Sequence, residues 1–165
     1  MKIKEGYFYF IKDEFFDVVN DMELMKNKES GSKRPCYYCF KITELPEFIW
    51  FVPVSTKVEK YKRIYLNKLK KQAKLGKNLA VDTMIFGNVA NVESVFLVQN
   101  MFPVTEKYIE SQYVKNNIKI RLSRKLKKEI VFKANKVLIL YRNGMKKIIF
   151  PDVEKIIKIL HGNSM

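Results

Sequence analysis

The sequence predicts an α+β fold, in which a small antiparallel sheet, curled into a barrel, packs against helices. Aromatic, β-prone stretches fill the first half of the chain at 6–11, 36–42 and 48–54. Apolar residues then recur at helical spacing over 58–75. The 165 residues are 47% hydrophobic, which is enough for one core, so residues 1–165 are predicted to form a single domain.

The first half of the chain alternates extended segments with turn residues. Hydrophobic and aromatic runs favour strands, and the polar, Gly/Ser-containing stretch between them favours a loop. The predicted elements are a strand over 6–11, a short helix over 13–20, a loop over 26–33, and strands over 36–42 and 48–54 joined by a turn at 43–47.

The middle of the chain carries the clearest helical signal. Five apolar residues recur at steps of three and four with lysines on the opposite side, and Gly76 follows as a C-cap. The residues of this stripe are Val58, Tyr61, Tyr65, Leu69 and Ala73.

The second half is predicted to add strands and then helices. Strands at 82–86 and 94–99 bracket a Gly87-Asn88 turn, so that the barrel strands lie mainly within 6–54 and 82–102. A helix is expected over about 105–142, with Thr105 as its N-cap and apolar residues every four positions from Ile118 to Leu138. A last helix is expected at about 152–160.

The charge of the chain is large and unevenly placed. It has 32 Lys+Arg against 17 Asp+Glu, a net charge of +15, and only five of the 32 cations are arginines. Residues 57–77 carry a net charge of +8 and residues 115–147 carry +11, while the remainder is slightly acidic. Two solvated helix faces are one interpretation, but two such segments favour a polyanion such as RNA. The predicted phosphate contacts are Lys60, Lys62, Arg63, Lys70, Lys71, Lys74, Lys77, Arg121, Arg124, Lys127 and Lys128.

Several function classes are disfavoured by composition. Cys36 and Cys39 cannot build a disulfide framework, and on a strand they would face opposite sides, so we expect core cysteines and no metal site. His161 is the single histidine, which argues against a ribonuclease built on a histidine pair. No apolar run is long enough to span a bilayer and no signal-peptide pattern begins the chain, so a reducing cytoplasm is predicted.

Two polar segments stand at the ends of neighbouring predicted strands. Residues 31–35 read Gly-Ser-Lys-Arg-Pro and place Lys33 and Arg34 directly before a strand, where the proline favours an extended Arg34. The following strand ends in Ser55, Thr56 and Lys57, at the start of the basic helix, whose first amides favour an anion. Ser55 or Thr56 could equally be a plain helix N-cap.

An antiparallel hairpin brings the open ends of its strands together, so these cations and hydroxyls are predicted to line one site at the open end of the hairpin. Tyr7, Tyr9 and Trp50 are expected to offer ring faces on which RNA bases stack. A phosphate bound there would have charge and hydroxyl groups beside it, but no obvious general base.

These segments carry a resemblance to known toxins. Gly-Ser-Lys-Arg-Pro before an apolar strand (31–42) and Val-Pro-Val-Ser-Thr (52–56) resemble the MazF/Kid ribonuclease toxins, which carry Gly-Ser…Arg-Pro and then Val-Pro-x-Thr-Thr. The arrangement of Lys33 with the segments 53–57 and 95–103 more closely resembles the type III toxin–antitoxin toxins, the ToxN/AbiQ/TenpN/CptN group, and within it the CptN-like branch. The resemblance covers about residues 5–142.

The resemblance implies both a fold and a function. The implied fold is a compact SH3-like barrel of the MazF/Kid type with packed helices. The implied activity is that of a metal-independent endoribonuclease toxin of the bacterial cytoplasm, which uses no cofactor and can take part in phage abortive infection. The implied partners are substrate RNA and a repeated, folded antitoxin RNA that inhibits the toxin in a closed protein–RNA hetero-oligomer.

The resemblance also implies catalytic residues. Lys33 matches the lysine of the ToxN-like pattern and Arg34 the arginine of the MazF-like one. Ser55 and Thr56 match the hydroxyl pair, in the reverse order to ToxN-like chains. Lys57 follows directly, where ToxN-like chains place a proline before the lysine.

Two other functions stay open at the level of sequence. A basic RNA- or DNA-binding module without activity would use the same charged segments, and replacing Ser55 by Ala would distinguish it, since that change disables only a nuclease. A peripheral membrane protein is less favoured, because the lysine-rich helices have ordinary core-facing stripes.

Overall fold

The computed structural model describes residues 1–76 and 83–162, and these contain eleven strands and four α-helices. The helices are α1 (Asp13–Val19), α2 (Val58–Lys74), α3 (Arg124–Arg142) and α4 (Val153–Gly162). The strands are β1 (Phe8–Ile11), β2 (Lys28–Glu29), β3 (Ser32–Lys33), β4 (Cys36–Ile42), β5 (Leu45–Ser55), β6 (Met84–Val89), β7 (Val92–Leu97), β8 (Phe102–Thr105), β9 (Ile109–Gln112), β10 (Val114–Lys115) and β11 (Ile118–Lys119).

Seven strands form one antiparallel sheet in the order β6-β7-β5-β4-β1-β9, with β8 also paired to β5. The long strand β5 holds the sheet together, because Phe48–Phe51 pair with β8 and Val54–Ser55 pair with β7. The hairpins β2–β3 and β10–β11 stand apart from this sheet. The predicted α+β class with an antiparallel sheet is therefore confirmed.

The predicted closure of the sheet into a barrel is wrong for the residues that the structure describes. Strand β6 pairs only with β7, and β9 pairs only with β1, so the two ends of the sheet do not meet. Helix α3 packs against β6, where a Cβ on Gly87 would lie 2.5 Å from the Leu126 side chain.

The core lies on both faces of the sheet because apolar residues occupy alternate and successive positions of its central strands. One face packs against α3, where Phe8, Tyr37 and Trp50 join Ile130 and Leu138 in one buried cluster. The other face packs against α1 and α4, with a separate cluster that contains Tyr9, Phe51, Phe15, Ile156 and Leu160. Helix α2 covers β6 and β7 through Tyr61, Met84, Val95 and Leu97.

Helix α2 agrees with its predicted range of 58–75, and Gly76 follows with a positive φ of 64°, as expected of a C-cap glycine. Strand β4 has the predicted bounds, and α1 and α4 lie close to the predicted 13–20 and 152–160.

The predicted helix over 105–142 begins nineteen positions later, at Arg124. Asn116 and Asn117 both adopt positive φ and form the turn of the β10–β11 hairpin, which interrupts the apolar pattern. Ile118, the first residue of the predicted stripe, is 67% exposed. The helix is capped by Ser123, whose side chain accepts a hydrogen bond from the Leu126 amide at 3.2 Å, and not by Thr105.

The predicted Gly87-Asn88 turn is also displaced. These residues lie inside β6, and the hairpin turns at Ala90 and Asn91, which have φ of 50° and 66°. A side chain at Gly87 would require the Leu126 side chain to shift, because Leu126 approaches this position. The predicted strand start at Asp82 lies outside the described residues.

Candidate functional site

A cavity of about 230 Å³ opens between the β2–β3 hairpin, the end of β5 and the start of α2. Two of the segments singled out by sequence meet there, the residues before β4 and the residues after β5. Of the ten lining residues in the described part of the chain, five are cationic and one is acidic. The lining consists of Met25, Lys26, Lys28, Glu29, Ser30, Arg34, Ser55, Lys57, Lys60 and Tyr61.

Arg34 lies at the base of this cavity and is only 7% exposed. Its Nη1 donates to Glu29 Oε2 and to the carbonyl of Val54, each at 2.9 Å, and its Nε donates to the carbonyl of Lys26 at 3.1 Å. These contacts to two segments, 26–29 and β5, fix the plane of the guanidinium. A planar guanidinium held in this way is suited to binding a phosphate.

Ser55 ends β5 and is almost completely buried, with 1% exposure. Its hydroxyl donates to Glu29 Oε1 at 2.8 Å and accepts from the Lys57 amide at 3.2 Å. The cap residue of α2 is Lys57, and no side chain caps the helix, so neither Ser55 nor Thr56 is the plain N-cap considered above. Ser55 instead links the end of β5 to the carboxylate in the cavity.

Glu29 is the acidic residue of the cavity, and the sequence did not reveal it. The other lining residues that were not predicted as site residues are Met25, Lys26, Lys28, Ser30 and Tyr61. Glu29 faces the cavity because Ser30 and Gly31, with φ of 51° and 82°, form a tight turn that pairs Glu29 with Ser32. The segment 26–33 was predicted to be a loop. A lone acid among lysines, next to a Ser-Gly turn, was the signal that could have identified it.

Five residues were predicted to lie together at the open end of the β4–β5 hairpin, and only some of them do. They are Lys33, Arg34, Ser55, Thr56 and Lys57. Arg34, Ser55 and Lys57 line the cavity. The Lys33 ammonium is not among the lining groups, and it binds Glu110 Oε1 at 2.6 Å with Asp13 at 3.9 Å. Neighbouring residues in extended backbone point in opposite directions, which separates Lys33 from Arg34. Thr56 is exposed and does not line the cavity.

The electrostatics of the cavity favour an anion. Lys57 is the N-cap of α2 and Lys60 lies in its first turn, where the helix dipole adds positive potential. Tyr61, on the same turn, has a raised pKa because burial disfavours its anion, and this effect exceeds the opposing charge of Arg34.

The aromatic residues predicted to stack on bases are mostly unavailable. Tyr9 and Trp50 are buried in the two cores, Tyr9 against Phe51 and Trp50 stacked on Phe40, so this prediction is wrong for both. Tyr7 is buried as well, with its ring under the Arg121 guanidinium, which also donates to its hydroxyl. These rings serve packing because sheet residues facing covered sides have no access to a ligand.

Most of the predicted phosphate contacts are solvent-facing. The Lys62 ammonium forms ion pairs with Glu59 and Glu93, and the Lys127 ammonium lies 3.6 Å from the Glu5 carboxylate. Lys77 lies outside the described residues. The exposed ones are Lys60, Arg63, Lys70, Lys71, Lys74, Arg121, Arg124 and Lys128.

Both cysteines are buried and free, on opposite faces of β4, as the spacing predicted. Burial raises the pKa of Cys36 to about 12 and also raises that of Cys39. We therefore expect neither thiol to react with iodoacetamide at pH 8 in the native protein, because the thiolate fraction is negligible and access is blocked. Mass spectrometry would detect this as an unmodified protein, with two adducts after unfolding in urea. Alkylation of the native protein at the unfolded rate would contradict the burial.

His161 is remote from the cavity lining, since its Nε2 lies 2.7 Å from Glu47 Oε1 at the other end of β5. In residues 1–76 and 83–162, no group of three His, Cys, Asp or Glu side chains could hold a metal ion. Within the same residues, no helix has the length and apolarity needed to cross a membrane.

Comparison with known proteins gives a likeness of fold. No protein-family model matches the chain, and no curated protein matches it in sequence. Among solved structures, the fold is similar to a toxin of a bacterial type III toxin–antitoxin system, described with selective toxin inhibition by a non-coding RNA pseudoknot. That match has a TM-score of 0.64 and 16% identity, and it covers 98% of this chain and 99% of the toxin.

The fold is also similar to AbiQ, a lactococcal anti-phage endoribonuclease of a type III toxin–antitoxin system. Here the TM-score is 0.59 at 16% identity, over 98% of this chain and 100% of AbiQ. The predicted resemblance to type III toxins is thus confirmed at the level of the fold.

Proposed function

We propose that the protein is the toxin of a type III toxin–antitoxin system and an endoribonuclease whose active site is the cavity around Arg34. The observation that carries the proposal is the convergence of Arg34, Ser55, Lys57 and Lys60 on one cavity. The full-length likeness to two type III toxins, one of them an endoribonuclease, supports it. Its place of action would be the bacterial cytoplasm, with a role in arresting growth during phage infection.

The proposed reaction uses the RNA as its own nucleophile. The 2′-OH attacks the adjacent phosphorus in line, and the products are a 2′,3′-cyclic phosphate and a 5′-OH. Such a step needs in-line positioning and stabilisation of charge on the phosphoryl oxygens. Arg34, with the Lys57 and Lys60 ammonium groups at the rim, is placed to supply that charge. Ser55 would orient the groups at the cavity base. The catalytic roles that the toxin resemblance implies for Lys33 and Thr56 are not used in this proposed reaction.

The direct test is cleavage of a short unstructured RNA in excess EDTA. We expect cleavage to persist, because the proposed chemistry assigns every charge-stabilising role to cationic side chains. End analysis should find a 2′,3′-cyclic phosphate on one fragment and a 5′-OH on the other. A strict requirement for Mg²⁺, or 5′-phosphate products, would contradict the proposed mechanism.

The proposed partner in inhibition is a repeated, folded antitoxin RNA, in a closed protein–RNA hetero-oligomer. The structure on which the similarity rests was described with a non-coding RNA pseudoknot, which supports this partner. The exposed lysines and arginines of α2 and α3 offer phosphate contacts outside the cavity. A non-catalytic RNA- or DNA-binding protein would use the same residues, and replacing Ser55 by Ala separates the two functions by abolishing cleavage alone.

Lys70 and Lys71 give the clearest test of the basic faces, since both are exposed on α2. We expect the double replacement by Gln to weaken antitoxin RNA binding and to lower the slope of log K against log salt by about one per phosphate contact. Cleavage of a short RNA should change little. The matched control is the double replacement of Lys155 and Lys158 by Gln, which removes the same charge from α4. If the two double variants have equal salt slopes, Lys70 and Lys71 face solvent and do not contact RNA phosphates.

A further inference from the structure

Glu29 is an acidic group in a cavity whose other charged groups are cations. Its side chain is 14% exposed, and both of its oxygens are engaged, Oε1 by the Ser55 hydroxyl at 2.8 Å and Oε2 by Arg34 Nη1 at 2.9 Å. A carboxylate there weakens the attraction of the cavity for a phosphate. Its presence therefore needs a reason other than anion binding.

A structural brace is the simplest reason, but it leaves a chemical gap. Attack by a 2′-OH requires a group that accepts its proton, and histidine is the usual one. The single histidine, His161, instead contacts Glu47 at the other end of β5. Lys57 and Lys60 are cations with no lone pair to offer. Tyr61 has a raised pKa, so its phenolate is scarce near neutral pH. Among the described lining residues, Glu29 is the carboxylate that can accept a proton.

The hydrogen bonds of Glu29 leave room for this role. A carboxylate oxygen can accept two hydrogen bonds, so Oε1 can bind the Ser55 hydroxyl and the 2′-OH together. The contacts to Ser55 and Arg34 hold the carboxylate in one orientation, as a proton acceptor requires. Among the described residues none accepts from Arg34 Nη2, so its two hydrogens remain for a phosphoryl oxygen beside the carboxylate.

We propose that Glu29 is the general base of the cleavage reaction, an inference that rests on the proposed function. Glu29 Oε1 takes the proton from the 2′-oxygen as that oxygen forms its bond to phosphorus. The bond between phosphorus and the 5′-oxygen then breaks, and its electron pair leaves with the 5′-oxygen. That oxygen takes a proton from water or from the Lys57 ammonium, and Glu29 returns its own proton to water.

The test compares Glu29→Gln with wild type on a short RNA at pH 7. We expect Gln to lower kcat by about 10²–10⁴, with a smaller effect on KM. Binding of the same RNA with a 2′-deoxy group at the cleavage site should be equal or tighter, because a negative charge has left the cavity.

Two further variants keep the test decisive. Glu47→Gln removes an exposed carboxylate from the other end of β5 and should keep the wild-type kcat and KM. If Glu29→Gln does not fold, Glu29→Asp carries the test, since it retains a carboxylate set back by one methylene and should lower kcat without weakening the binding of the 2′-deoxy RNA.

The possible outcomes distinguish a failure of this inference from a failure of the proposed function on which it rests. A Glu29→Gln protein that cleaves within threefold of wild type would overturn the inference alone. Where Glu29→Gln does not fold, a Glu29→Asp protein with the wild-type kcat would do the same. A wild-type protein that cleaves no RNA would overturn the proposed function, and the inference with it.

Discussion

Replacing Arg34 by Gln should lower kcat/KM for cleavage of a short RNA by about 10²–10³, the loss typical of one preorganised donor to a transition state. The guanidinium is held by three acceptors on two segments, 26–29 and β5, so little reorganisation is needed when charge develops on the phosphoryl oxygens. Gln keeps a hydrogen-bond donor but loses the charge. Most of the loss should therefore fall on kcat.

The same change should cost stability, because it leaves the Glu29 carboxylate without its cation. Breaking a buried pair in this way costs about 3–5 kcal/mol. Kinetics should therefore be measured below the unfolding temperature of the variant, with circular dichroism to confirm that it is folded. Arg34→Lys keeps the charge and should recover part of the stability, although it loses the planar geometry.

Lys33→Gln is the matched control for Arg34, since the two cations are adjacent in the chain. The Lys33 ammonium is already paired with Glu110, so we expect its loss to reduce kcat/KM by less than about tenfold, the scale of 1.4 kcal/mol. The opposite ranking, with Lys33 essential and Arg34 dispensable, would favour the residue implied by the toxin resemblance and contradict the cavity as the active site.

The sequence could predict part of the site because that part depends on one local hairpin. Strands β4 and β5 are adjacent in the chain, and their pairing sets Cys36 opposite Pro53. Arg34 and Ser55 then meet by antiparallel geometry alone, and the helix start adds Lys57. Glu29 could not be found in this way. Its position depends on a two-residue hairpin in a stretch that composition identifies only as polar.

The failed predictions have two physical causes, a local turn and packing between segments that are distant in the chain. A stripe with steps of four continues from Ile118 into α3, yet the Asn116-Asn117 turn overrides it, because two residues with positive φ fix a hairpin. Barrel closure depended on pairing between the two end strands of the sheet, β6 and β9, which no local pattern reports.

The aromatic residues are the clearest example of burial that the sequence did not predict. A substitution of Trp50 tests this burial. Trp50 is 1% exposed and stacks on Phe40, with ring centroids 6.1 Å apart and an interplanar angle of 22°. We expect Trp50→Ala to lower the free energy of unfolding in urea by about 3–5 kcal/mol, because it removes buried surface and leaves a cavity.

RNA affinity decides between the packing role of Trp50 and the stacking role that the sequence suggested. At a temperature where Trp50→Ala is folded, its affinity for RNA should equal that of wild type, since a buried ring meets no base. Phe132→Ala is the control for stability. Phe132 is 70% exposed on α3, so its loss should change the unfolding free energy by less than about 0.5 kcal/mol. A Trp50→Ala protein of wild-type stability but weakened RNA binding would mean that this ring faces the ligand and not the core.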